Sequence, residues 1–575
     1  MPAAPQGPAI HRRWLLAFAG IVVLALTLRV VYLDRDEVRT DEGNYAIRAI
    51  GWNDFMFSTV LGTPWIWFQD EERLPAWTQL SFNDHPPLHF ATIWLAVRAL
   101  GIKLWVVRLP SALYGAGAVA LLMLLLRRWG YRGAALAAGM LLSVLPWHIF
   151  ISRQAIQESG VIFWIVLAMF LADRAVRTAD DRYSTLRWAA VGTAVAAGLL
   201  TKYSAALVLL PLAWTFVRQR CFRRRGFWFA PGALIALLLP LAYYNWQLYL
   251  LRGHFDLQLA RLLGQDTSKD WPASHQALWQ GDARQILTFA GNQARGLTVV
   301  ASVGALMGWL YALLRRVHLN ESVVVFSIGT GVVGAVLALV TLNDFGRSAV
   351  LLPFYALAFG AGISLLPKKY SFPLAGLAIA IAAAACFPTL SAVKPIPQLV
   401  QTFWAAPVGF SAWESWRQQR IPTTLTPRHY PSLLSWFQRQ IADAANPEQE
   451  FVVLDNRISW FPINWYLFRY GWYADQATFV NAGIFAYLNW QNVFEARKGR
   501  PLWYVEVGPA AMDSKGAFDE QTRVTHLFFS ALAQRQNVFP QIVAAADGRP
   551  LLKIWRVNWD RELDFPPPGT VGTRE

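Results

Sequence analysis

Residues 14–33 read WLLAFAGIVVLALTLRVVYL, and the chain soon continues Arg39-Thr40-Asp41-Glu42-Gly43-Asn44-Tyr45. The first run supplies the ~20 apolar residues that a helix needs to cross a bilayer. It is longer than the apolar core of a signal peptide, and no small-residue cleavage pattern follows it. It reads as a retained first transmembrane helix. His11-Arg12-Arg13 precede it, and the positive-inside rule places that end in the cytoplasm. The acidic segment after it then opens an external loop.

Similar runs recur through the first two thirds of the 575 residues; hydrophobic residues make up 55% and charged residues 15%, against about 25% charged in soluble domains. This excludes a disordered chain, a collagen-like chain and an ordinary cytosolic enzyme. It leaves a polytopic membrane protein with an appended non-membrane domain. The net charge of +16 is unevenly spread: residues 391–575 carry 18 Lys+Arg against 16 Asp+Glu, whereas residues 1–390 carry 34 against 20. The basicity therefore belongs to short membrane-protein loops, and nucleic acid is not an expected partner. Cys221 and Cys386 form no disulfide framework and no zinc-like spacing.

Basic residues cluster at Arg127/Arg128/Arg132, Arg174/Arg177/Arg182/Arg187, Arg218–Arg225, Arg315/Arg316 and Lys368/Lys369. Placing these in the cytoplasm predicts about eleven spans. They are 14–33, 106–126, 133–151, 155–173, 188–201, 203–217, 227–247, 286–314, 321–341, 347–366 and 371–390. Pro87–Leu100 is short for a span and is expected to lie in the interface as a helix. Three large segments fall outside: 34–105, 248–285 and 391–575. The expected organisation is a transmembrane module over 1–390, with 34–105 as its external loop, and an extracytoplasmic α/β domain over 391–575. In that domain Phe451–Leu454, Leu502–Val507 and Leu551–Trp559 have strand patterning, and Ser432–Ala445 that of an amphipathic helix. The tail at Pro566–Gly569 is expected to fray.

Four polar features fall on the external side. Asp41 and Glu42, with Tyr45 behind them, sit just past the first helix. An isolated acidic pair is usually a solvated turn, but here one carboxylate can act as a general base on a hydroxyl acceptor, or the pair can hold a divalent cation. Asn83-Asp84-His85-Pro86-Pro87 fixes Asp84 and His85 ahead of a proline-initiated helix; a surface histidine is the plainer reading. Arg153 and Glu158 flank an outer turn, where an interhelical ion pair is the structural alternative. Lys202, in Thr201-Lys202-Tyr203, interrupts a long uncharged stretch, and a lysine at that depth needs an anion, a cavity or a route to the surface. Arg347, after Asn343-Asp344-Phe345-Gly346, begins a span on the same side. Cations that hold a lipid-linked phosphate, with a carboxylate that deprotonates an acceptor, fit this set. No P-loop or dinucleotide fingerprint accompanies it.

In order along the chain, Asp41-Glu42-x-x-Tyr45, His85-Pro86-Pro87-Leu88, Arg108-Leu109-Pro110-Ser111-Ala112, Ser152-Arg153, Thr201-Lys202-Tyr203 and Arg347 with Leu351-Leu352-Pro353 resemble the bacterial relatives of the dolichyl-phosphate-mannose protein mannosyltransferases. That group includes the lipid A aminoarabinose transferases. The resemblance covers roughly residues 14–390 and implies a GT-C fold. It further implies a multi-pass enzyme of the bacterial inner membrane that takes sugar from a polyprenyl phosphate and inverts the anomeric centre. It makes Asp41 the base with Glu42 beside it, and gives the donor phosphate to Lys202, Arg347 and Arg153 in that order. Tyr45, Asp84, His85 and Glu158 support the site. No particular cofactor is implied, and a divalent cation is left open. The eukaryotic-type enzymes carry a large inserted lumenal domain; the corresponding 248–285 is short, which weighs against a protein acceptor. The acceptor is otherwise undefined. A lipid or sugar transporter is the competing class, but transporters build midplane sites from repeated halves, and this chain has no such repeat.

Overall fold

The computed structural model describes residues 8–34, 40–52, 75–178, 183–267, 349–365, 368–386, 451–455, 479–482, 485–486, 489, 498–507, 520–544, 548 and 550–565. They fall into two compact units, one drawn from residues 1–34 and 70–414, the other from 35–69 and 415–575. The expected spans 286–314 and 321–341, Arg347, the helix Ser432–Ala445 and the 566–569 tail lie outside the described residues.

The first unit is helical. It contains α1 (Pro8–Val30), α3 (Leu88–Leu100), α4 (Leu104–Arg128), α5 (Arg132–Val144), α6 (Pro146–Ser152), α7 (Glu158–Arg177), α8 (Ser184–Thr201), α9 (Leu209–Arg218), α10 (Phe229–Arg252), α11 (Leu257–Leu262), α12 (Leu352–Leu365) and α13 (Lys368–Cys386). Helix α2 (Thr40–Gly51) groups with the second unit. Among the described residues, α1, α4, α7 and α10 are long and apolar enough to cross a membrane; α5 and α6 together make a fifth such segment.

The straight span expected over 133–151 is instead a broken one, bent by 62° between α5 and α6. Pro146 at the start of α6 has no N–H to continue the α5 ladder, and Leu145 before it is extended (φ −70°, ψ 117°). Arg29 of α1 covers the carbonyls released there. Its guanidinium donates to the Ser143 and Leu142 oxygens at 3.2 and 3.1 Å, and it meets His148 Nδ1 at 2.6 Å. Arg153 does the same for the end of α1, donating to Leu28, Val31 and Tyr32 oxygens at 3.1, 2.8 and 2.8 Å. Helix ends inside a membrane protein require such donors.

The stretches expected at 188–201 and 203–217 are separated at Lys202, whose backbone is extended (φ −165°, ψ 139°). A 3-10 turn over Tyr203–Val208 then leads into α9. Helices α8 and α10 pack so closely that a Cβ on Gly192 would collide with the Ala230 carbonyl oxygen; small residues permit that approach. Helix α10 stops at Gly253, which takes the left-handed conformation (φ 81°) while its N–H bonds the Tyr249 oxygen at 2.8 Å.

One end of α7 is basic. Asp173 accepts from Arg128 at 2.8 Å, Arg177 at 2.6 Å and the Trp129 indole at 2.8 Å. Arg224 donates to the Val176 oxygen at 2.9 Å. Arg127 stands 3.9 Å over the Trp14 ring.

The second unit contains a five-stranded mixed sheet in the order β2-β1-β3-β5-β4. Its strands are β1 (Phe451–Leu454), β2 (Phe479–Asn481), β3 (Pro501–Val507), β4 (Gln541–Ala544) and β5 (Pro550–Asn558). The three strand patterns read from the sequence are β1, β3 and β5. β1 runs parallel to both β2 and β3, whereas β3 pairs antiparallel with β5 in the register Tyr504↔Trp555. Helix α14 (Glu520–Arg535) covers this sheet. Phe528, Phe529 and Leu532 pack with Tyr504, Trp555 and Trp559, and Phe529 stacks on Tyr504 at 4.6 Å. In α2 the acidic residues Asp41 and Glu42 occupy the first turn, where the helix dipole favours negative charge.

Candidate functional site

Two residues singled out separately in the sequence are partners. Lys202, at the break after α8, donates from Nζ to Oε1 of Glu158, the first residue of α7, at 2.6 Å. Both side chains are largely buried, at 14% and 10% exposed. The interhelical ion pair of Glu158 is thus made with Lys202; Arg153 lies five residues away in sequence and turns to the end of α1.

The loop before α3 brings in the next groups. His85 Nδ1 lies 3.0 Å from Asp84 Oδ2, and Phe82 packs on Phe90 at 4.4 Å. One turn into α3, His89 is fully buried. Burial lowers its imidazole to about 4, opposed by a backbone hydrogen bond at Ala155 and by Glu158, and assisted by His85 and Lys202. It is neutral at physiological pH, and it senses Glu158, Lys202 and His85 together.

A third contributor was not singled out in the sequence. Asp256 Oδ2 accepts from the Tyr203 hydroxyl at 2.5 Å. Its Oδ1 caps α11, accepting from the Gln258 and Leu259 N–H groups at 3.1 Å each. The Asp256 N–H donates to Asn245 Oδ1 of α10 at 2.7 Å, and the Leu257 N–H donates to the Asn83 oxygen at 2.7 Å. Burial raises the Asp256 carboxyl from 3.8 to about 6, against the hydrogen bonds from Tyr203 and Leu259. The Asp256-Leu257-Gln258-Leu259 sequence carries an N-cap signal, which identifies a cap but not the phenol it binds.

The start of α7, the end of α8, the end of α10 and the start of α3 therefore converge on one polar cluster. Asp173 lies fifteen residues along α7 from Glu158, roughly 22 Å at the helical rise per residue. Lys202 has three ammonium protons and directs one to Glu158, which leaves donor capacity for an anion. Asp84 and His85 add a carboxylate and an imidazole. Asp41, Glu42 and Tyr45 lie on α2 in the second unit; Glu42 and Tyr45 are buried and Asp41 is exposed. Among the described residues, no three His, Cys, Asp or Glu side chains are grouped to hold a metal ion.

Residues 84–246 match the family described as dolichyl-phosphate-mannose-protein mannosyltransferase. That stretch contains Asp84, His85, Glu158, Lys202 and Asn245, and the acidic pair Asp41–Glu42 lies before it. A 128-residue segment is 29% identical to YkcB of Bacillus subtilis (strain 168), for which a mannosyltransferase activity has been put forward; it spans 22% of this chain and 17% of that protein. Two crystal structures of ArnT from Cupriavidus metallidurans share the fold. The form bound to undecaprenyl phosphate is 14% identical with a TM-score of 0.56, over 94% of this chain and 98% of that one. The apo form is 16% identical with a TM-score of 0.56, over 95% and 98%. The family match thus covers residues 84–246, less than half of the chain, and the likeness to ArnT is one of fold.

Proposed function

We propose that this enzyme transfers a sugar from a polyprenyl-phosphate donor to an extracytoplasmic acceptor, with inversion at the anomeric carbon. The observation that carries the reading is the buried Lys202–Glu158 pair, which has donor capacity left over and lies beside His85, His89 and the Tyr203–Asp256 bond. The ArnT relative with undecaprenyl phosphate bound supports a lipid phosphate as the anion. Lys202 and Arg347 hold that phosphate. Arg153 stands behind them because its guanidinium already serves the α1 carbonyls. Asp41 takes the proton from the acceptor, with Glu42 and Tyr45 beside it. The acceptor atom bonds to the anomeric carbon while the bond from that carbon to the phosphate oxygen breaks. Polyprenyl phosphate leaves with its charge met by the cations. Asp84 and His85 shape the pocket. The basic end of the bundle faces the cytoplasm of a bacterial inner membrane and the Lys202 end faces outward.

The test is transfer from a panel of radiolabelled polyprenyl-phosphate sugars by the purified chain. Wild type should consume one donor. Asp41→Asn should lose transfer yet still bind the lipid, and Lys202→Ala should lose donor affinity. Full activity in Asp41→Asn removes that residue as base, and no consumption of any donor removes the reading.

A further inference from the structure

Asp256 has more partners than a helix cap requires. A cap is served by one oxygen and is usually at the surface. Here the residue is 1% exposed, and burying a carboxylate is unfavourable unless hydrogen bonds replace its water. The second oxygen is engaged by Tyr203, the residue directly after Lys202, at 2.5 Å. The backbone on either side of the carboxylate is tied as well, Asp256 N–H to Asn245 and Leu257 N–H to the Asn83 carbonyl. One residue thereby joins three segments: the turn that presents Lys202, the end of α10, and the loop that presents Asp84 and His85.

We propose that Asp256, acting through Tyr203, is a positioning residue that fixes the Lys202 turn against the Asn83–His85 loop so that the ammonium meets the donor phosphate. The inference rests on the reading of Lys202 as a phosphate ligand. Asp256 does not itself touch the donor. Without it the Lys202 turn loses its tether to α11 and is left with the Tyr203–Asn245 contact to α10, the Lys202–Glu158 bond and its own backbone bonds to Gly198 and Ala205.

The test uses the full chain in nanodiscs, with tritiated undecaprenyl phosphate as the probe and donor kinetics and thermal melting alongside. Asp256→Ala and Tyr203→Phe should each weaken lipid-phosphate binding by about tenfold, the effect of one charge-assisted hydrogen bond. Donor KM should rise and kcat should change less. Asp256→Asn, whose Oδ1 keeps the α11 cap while its Nδ2–H donates to the Tyr203 hydroxyl oxygen, should recover most of the affinity. Binding at wild-type strength in both Asp256→Ala and Tyr203→Phe, with Lys202→Ala weakened, overturns the positioning role and leaves the phosphate reading intact. Wild-type binding in Lys202→Ala overturns both. Equal losses in Asp256→Asn and Asp256→Ala that merely track a fall in melting temperature also overturn it. If Asp256→Ala does not fold, Tyr203→Phe, which removes a single hydroxyl, decides.

Discussion

The two ends of α7 each carry a carboxylate met by cations, and they are built to different standards. Asp173 accepts three hydrogen bonds of 2.6–2.8 Å, and its two arginines are 36% and 42% exposed. Water screens that cluster, and its partners are matched. Glu158 meets one lysine, both side chains stay largely buried, and a neutral histidine lies nearby. A charge at that depth is expensive, and Lys202 keeps donor capacity that Glu158 does not use. Matched charge at the water-facing end anchors helices. Buried charge with donors to spare is what the proposed phosphate role of Lys202 needs.

Mutation can break this contrast. Glu158→Ala strands a buried lysine, which costs about 3–5 kcal/mol when a partner is removed from a buried pair. Transfer should fall by about 100-fold or more through lost order at Lys202; transfer at the wild-type rate would reduce this end to a second anchor. Asp173→Asn should lower stability by only about 1–2 kcal/mol, discounted for exposure. Transfer per folded molecule should be unchanged, and a loss matching that of Glu158→Ala would erase the difference between the ends.

A pH series sharpens the same comparison. The folded Asp256 carboxyl titrates at about 6 against 3.8 for its ordinary value. Between those values the folded state binds more proton than the unfolded state, so this group adds stability as pH falls. Melting of wild type and Asp256→Asn from pH 8 to pH 5 should show wild type gaining on the variant, by about 1.4 kcal/mol at the low end. Parallel curves would remove the burial assigned to the carboxyl. The smallest expected effect is Arg127→Ala at the basic end. Loss of the guanidinium over Trp14 should cost about 0.5–1 kcal/mol in melting experiments, with donor affinity untouched.

Much of this architecture is legible in the residues alone. Continuous apolar runs mark α1, α4, α7 and α10 because nothing else tolerates that length of uncharged chain, and the β-rich runs at 451, 502 and 551 are strands. The 62° bend departs from the straight span because Pro146 breaks the ladder inside a run whose length and apolarity alone read as one helix. Lys202 and Glu158 both stood out as charges where charge is costly. Their pairing spans 44 residues, and no local pattern encodes a partner at that distance. Asp256 escaped notice for a different reason: an acidic residue in an external loop looks ordinary until its burial and its phenol partner are seen. Asp41 lies before the matched residues 84–246, so its proposed role as base is carried by motif order.

The broken segment α5–α6 has a consequence for how the protein is made. Arg29 emerges from the ribosome within the first helix, but the carbonyls and imidazole that later receive it are 113–119 residues downstream. Until those residues are synthesised, the guanidinium has the Ala25 oxygen of its own helix, at 2.8 Å, and the lipid headgroups to turn to. The proline break frees the Leu142 and Ser143 carbonyls that receive it in the finished fold. A replacement that straightens the break at Pro146 would withdraw the Leu142 and Ser143 acceptors and leave the Arg29 guanidinium to its own helix.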